Sequence, residues 1–171
     1  MRVTPAPDSA SAVGDNALGP WSAVLLHTRP QKLVLAVCNA SRHALVLPAA
    51  PLASLPGRLP DALFEVLMMC GAPVEAARKE ANAMQPLVLA PTIDRGVRSH
   101  IGQYRDEVTW CLAAGDSLSA INLRLANNLV LKPYTGHVGE RSMEMLGLDP
   151  APLRALWRTG LDDAMRAVRN T

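Results

Sequence analysis

His100 and Tyr104 stand one helical turn apart in the stretch Thr92 to Gly115, TIDRGVRSHIGQYRDEVTWCLAAG, which also holds Arg95, Ser99 and Asp106. An imidazole in that company could serve as a general base, so a small enzyme centred on His100 and Arg95, with Tyr104 beside them, is one expectation. The cations offer a different chemistry. Arg29, Lys32, Arg42, Arg95 and Arg98 would make an anion or nucleic-acid contact if the fold brought them to one face, and binding would then weaken steeply with salt. A solvated surface with loose ion pairs explains the same residues.

Other constellations are thin. The four histidines, His27, His43, His100 and His137, include no pair at the i, i+4 spacing of metal ligands, and His27 with His43 lack a carboxylate between them. Cys38, Cys70 and Cys111 are odd in number, far apart and set in apolar segments, so they read as small buried hydrophobes rather than a disulfide or zinc framework. There is no GxSxG, no GxxxxGK[ST], no GxGxxG after a strand and no HExxH. No metal and no cofactor are expected.

The elements that must position these residues follow from periodicity. Val97, Ile101, Tyr104, Val108, Cys111 and Leu112 recur at four- and three-residue steps, one face of a helix with Asp94 as its N-cap and Gly115 past its end. Arg95, Arg98, His100 and Arg105 crowd its start, where cations oppose the helix macrodipole. Upstream, Trp21–Thr28, Lys32–Asn39 and His43–Pro48 are short apolar runs split by RPQ and ASR, which predicts a three-stranded meander. The middle run, KLVLAVCN, is apolar on both faces of the pleat, so the sheet must be covered on both sides.

A proline-punctuated connector leads to a helix over Asp61–Cys70 and a more polar one over Val74–Met84, then to PLVLAP at 86–91 as an edge strand. Leu118, Ile121 and Leu125 predict a helix capped by Ser117, and LVLKPYT a last strand. A short helix over Glu140–Leu146 ends at Gly147, and Asp149 with Pro150 opens a long amphipathic one. Its stripe, Leu153, Leu156, Trp157, Leu161 and Met165, is either core or a face for a partner or a second copy.

At 171 residues the chain is long enough for one domain with an appendage, and 49% hydrophobic with 19% charged residues is the composition of a folded protein. The net charge of +2 is far from that of a dedicated nucleic-acid binder, although residues 21–60 carry four cations and no acid. No apolar run has signal-peptide or membrane-spanning form, so no membrane contact and a cytoplasmic location are expected.

Taken together, WSAVLLHTRPQKLVLAVCNASRHALVL, the helix pair, PLVLAP and TIDRGVRSHIGQYRDEV resemble an uncharacterised family of bacterial domains of unknown function. Trp21, Ala23, Leu25 and Leu26 match its first strand, Lys32 a lysine of its hairpin turn, and Thr92, Arg95 and Val97 the segment before a helix. Gly96, Arg98, Ser99, His100, Gly102 and Gln103 depart from that segment, and the resemblance, over residues 20–130, leaves out 137–171. It implies the fold and singles out Arg95, but implies no activity.

The expected protein is therefore α+β. It has a flexible arm over 1–20, a domain over 21–135 built on an antiparallel sheet with helices over it, and a C-terminal helical appendage over 136–171. Its expected function is a non-catalytic binding or regulatory module of a bacterial accessory system, of plasmid, phage-defence or toxin–antitoxin type, acting through a protein partner or as a homodimer. Nucleic-acid binding and a small His100-centred enzyme are the alternatives.

Overall fold

The computed structural model describes residues 16–86 and 95–160. Three strands, β1 (Trp21–Leu26), β2 (Leu33–Cys38) and β3 (Ala44–Pro48), form the antiparallel meander that the three apolar runs predict, with Trp21 opposite Cys38 and Val37 opposite Ala44. Every residue of β2 is buried. Because side chains alternate across a strand, β2 and β3 feed two separate cores. Val34, Ala36, Cys38, Leu45 and Leu47 face one, and Leu33, Leu35, Val37, Ala44 and Val46 face the other.

The first core is closed by α1 (Leu55–Met69) through Leu59, Leu63, Val66 and Leu67, and by α2 (Val74–Ala83) through Ala77. The second is closed by α3 (Arg98–Ala113), whose Ile101, Tyr104, Val108 and Cys111 lie inward as their spacing predicts. A short 3-10 turn over Arg95–Val97 precedes α3, so Val97 rather than Asp94 is its N-cap; Asp94 and the expected strand at 86–91 fall at or beyond the edge of the described residues. Gly115, at φ +84°, takes the left-handed conformation past the helix end. Fully burying each of these Leu, Val or Ile side chains contributes roughly 1.5–3 kcal/mol, and most of the fold's stability lies in the two cores.

α1 begins six residues earlier than the sequence predicts, running through Pro56 and Pro60. Pro56 sits in the first turn, where no N–H is needed. Pro60 leaves the carbonyl of Pro56 without its helical donor, and Gln85 Nε2 donates to that oxygen at 2.8 Å. A side chain from beyond α2 thus repairs the helix.

α4 (Leu118–Ala126), capped by Ser117, whose hydroxyl accepts from Ala120 N–H, lies along the open edge of β3. Asn122 acts there as a substitute strand: its Oδ1 accepts from Val46 N–H at 2.7 Å and its Nδ2 donates to Val46 O at 3.1 Å. Beyond α4 the expected long strand is only β4 (Leu129–Val130), paired with β5 (Gly136–His137). Two residues per strand are all the ladder sustains, with Pro133 in the connection between them. α5 (Val138–Met145) and α6 (Ala151–Arg158) then return Met143 and Leu153 to the first core. Residues 136–158 are packed into the body of the protein.

The start of the described chain is held as firmly. Glu80, buried on α2, accepts from Leu18 N–H and Ala17 N–H, each at 2.9 Å, and from Asn16 Nδ2 at 3.3 Å. That docks the last residues of the expected arm and places Leu18 in the first core.

Asn122→Leu keeps the volume but strands two buried backbone groups of Val46, each costing about 1–3 kcal/mol. Urea unfolding should show a loss of roughly 2–5 kcal/mol, with Asn122→Asp, which keeps the acceptor, in between. A loss below about 1 kcal/mol in the leucine variant would show that solvent reaches the β3 edge.

Candidate functional site

The polar residues converge on the turn between β2 and β3, Asn39 to His43. Arg42 takes φ +63°, a left-handed conformation that costs a non-glycine residue of order 1 kcal/mol and persists only where its surroundings impose it. Those surroundings are specific. The ladder closes with Cys38 N–H donating to His43 O at 2.8 Å and Arg42 N–H to Cys38 O at 3.0 Å. Tyr104 of α3 donates its hydroxyl to Arg42 O at 2.8 Å, and Tyr134, between β4 and β5, donates to Ser41 O. Two phenols, one from α3 and one from the β4–β5 connection, therefore clamp one tight turn.

His43 is fully buried, and its Nδ1 lies 2.9 Å from Ser142 Oγ. The pair looks like a nucleophile and its base, but the hydrogen-bond direction is opposite. Ser142 already donates to Val138 O at 2.9 Å, so Nδ1 must donate to the serine rather than accept its proton. His43 Nε2 is buried without a partner. The pair fastens α5 to the turn.

The phenols are no better placed for proton transfer, since burial above all raises both Tyr104 and Tyr134 above the ordinary value. Burial likewise pushes the Cys70 thiol up to about 12, where it is an inert core group. His100, by contrast, is part-exposed at the start of α3. Its ring centre lies 6.3 Å from that of Tyr104, and it is lowered first by burial, then by the Arg42 charge, against a backbone hydrogen bond with Gly96 that raises it.

Of the cations singled out in the sequence, Arg42, Arg95 and Arg98 lie toward one end of the molecule with His100 and Tyr104, Arg95 and Arg98 exposed at the start of α3 and Arg42 buried. Arg29 and Lys32 are exposed on the turn between β1 and β2, the far end of a six-residue strand roughly 20 Å long. The five do not share a surface. On α6, Leu153 is buried, and Leu156 and Trp157 are part-buried against the same core; Leu161 and Met165 lie outside the described residues. No group of three His, Cys, Asp or Glu among the described residues is placed to hold a metal ion, and no described helix is long and apolar enough to cross a membrane.

One surface escaped sequence reasoning. Trp110, on the outward face of α3, is 61% exposed, with the Arg124 guanidinium 5.5 Å from its ring centre. Asn128 Nδ2 donates to Glu107 Oε2 at 2.7 Å, which ties the start of β4 to α3 one turn before Trp110. Leu129 and Leu131 flank the buried Val130 and point outward at 58% and 70% exposure. The available signal was a tryptophan off the inward stripe of its own helix.

Burial takes His43 down to about 4, so its ring is uncharged in the folded chain while the unfolded chain binds a proton near about 6.5. With the folded value depressed, its contribution is fully present above about pH 6.5 and is lost as pH falls toward 4, by roughly 1–2 kcal/mol per unit. Urea midpoints at pH 7 and 4.5 should therefore differ less in His43→Gln than in the parent. Equal pH dependence in both would mean that protonation of His43 costs the fold nothing.

No curated protein and no solved structure matches the chain. A family model does, over residues 1–139, from the start of the chain to the first turn of α5. The match takes in the meander, both cores' principal helices and the clamped turn, and the chain belongs to the family described as Domain of unknown function (DUF6933).

Proposed function

We propose that this protein is a non-catalytic binding module that acts through protein–protein contact at the face formed by Trp110, Arg124, Leu129 and Leu131. The observation that carries this reading is the exposure of Trp110 under an arginine, with two outward leucines on the segment that Asn128 ties to the same helix. Tryptophan and arginine dominate the energetics of protein interfaces, and large apolar side chains left together in water are unfavourable unless something covers them. Further support comes from the polar groups a catalyst would need. The His43, Ser142, Tyr104 and Tyr134 side chains are each committed to holding the β2–β3 turn. In this reading the protein works in the cytoplasm, in keeping with three buried cysteines that form no disulfide among the described residues. Its partner is a second protein or another copy of the chain.

A photo-crosslinking amino acid at position 110, with one at exposed Lys79 on α2 as control, tests this in source cells. Position 110 should give an adduct of one discrete mass and Lys79 none, and Leu131→Asp should abolish the adduct. Light scattering then separates a partner from a second copy. No adduct at 110, or equal yields at both positions, would overturn the reading.

A further inference from the structure

The Arg42 guanidinium is an anomaly that the protein-contact reading leaves unused. Its side chain is on a residue only 7% exposed, Nη1 donates to Asn39 O, and Nε is buried with no partner. No carboxylate among the described residues pairs with it. A buried cation normally requires a counter-charge, because the desolvation cost otherwise stands uncompensated. The edge left by the Nη1 bond, Nε with Nη2, is the one that grips an oxyanion through two parallel hydrogen bonds.

The surroundings point the same way. Val97, the N-cap of α3, makes no side-chain cap bond and the first turn holds no acid, so among the described residues nothing offsets the positive end of the helix macrodipole. Arg98 and His100 lie within that first turn and Arg95 just before it. Each is unfavourable for an empty helix start and favourable for an occupied one. Tyr104, one turn on from His100, reaches Arg42 O at 2.8 Å and so sets the turn carrying Arg42 against this end of α3.

We propose that a small oxyanion of the phosphate class binds at the start of α3, with its oxygens on the free edge of Arg42, on the His100 ring and on the first N–H groups of the helix. A tetrahedral, doubly charged anion suits donors that approach from a guanidinium, a ring nitrogen and a backbone at once, and balances more than one cation. The site is small. It takes a free phosphate or a single phosphoryl group, and the remote Arg29 and Lys32 have no part in it.

The test uses the full chain and inorganic phosphate. Thermal unfolding should rise saturably with phosphate and not with chloride at equal ionic strength or with acetate. Arg42→Asn, whose asparagine tolerates φ +63°, should weaken phosphate binding about tenfold to hundredfold, the effect of losing a charged hydrogen bond, while folding normally. His100→Gln, on a part-exposed ring, serves as the second variant and should weaken binding in the same direction. In the parent, phosphate should also raise the NMR titration midpoint of His100, whose charged neighbour is Arg42 and whose other near groups are Ser99, Tyr104 and Gly96. No response of the parent, an unmoved His100, or an equal response of parent and both variants, meaning an adventitious ion only, would overturn the site. None of these outcomes bears on the crosslink at Trp110, so the two readings fail separately.

Discussion

A strand with no polar face governs this structure. β2 presents apolar side chains to both sides of the sheet, and the hydrophobic effect permits that only if both sides are covered. α1, α2, α5 and α6 on one side and α3 on the other are the response, and α4 closes the edge that the layers leave open. The C-terminal helices belong to this economy as much as the central ones. Met143 and Leu153 complete the wall over Val34, Ala36 and Cys38.

Covering a sheet twice brings polar residues inside, and the molecule deals with them by pairing them to backbone. Asn122 completes the β3 ladder, Gln85 the proline-broken turn of α1, Glu80 the first described residues, and Tyr104 and Tyr134 the carbonyls of the β2–β3 turn. A buried polar group that finds its partner costs little, whereas the same group alone costs about 1–3 kcal/mol. Arg42 departs from that pattern. Its charge sits on a left-handed residue, with Nη1 donating to Asn39 O and Nε left over.

The architecture was legible because it rests on periodicity. Alternation in the meander, the unbroken apolar run of β2 and the 3-4 stripe of α3 each carry their own direction, and those elements formed where their residues predict. The start of α1 was not legible, since Pro56 and Pro60 read as a loop until Gln85, 29 residues away from Pro56, supplies the missing donor. The long last strand dissolved into two short ones for a similar reason, with Lys132-Pro133 interrupting the ladder. The site was harder still. Arg42 looked like one cation among five, and only the pairing of β2 with β3 and the reach of Tyr104 separate it from Arg29 and Lys32. Directional contacts between distant residues leave no periodic trace.

The Glu80 clasp also orders events in time. Leu18 and the carboxylate that holds its amide are 62 residues apart, so on the ribosome the meander emerges and can pair well before α2 exists. Until then the Leu18 amide lacks its acceptor and the core lacks its α2 wall, while the Leu18 and Pro20 carbonyls can already accept from Cys38 Sγ and Asn39 N–H of the meander. Only the clasp on the Ala17 and Leu18 amides must wait for α2, on the side that α1 has already begun to cover.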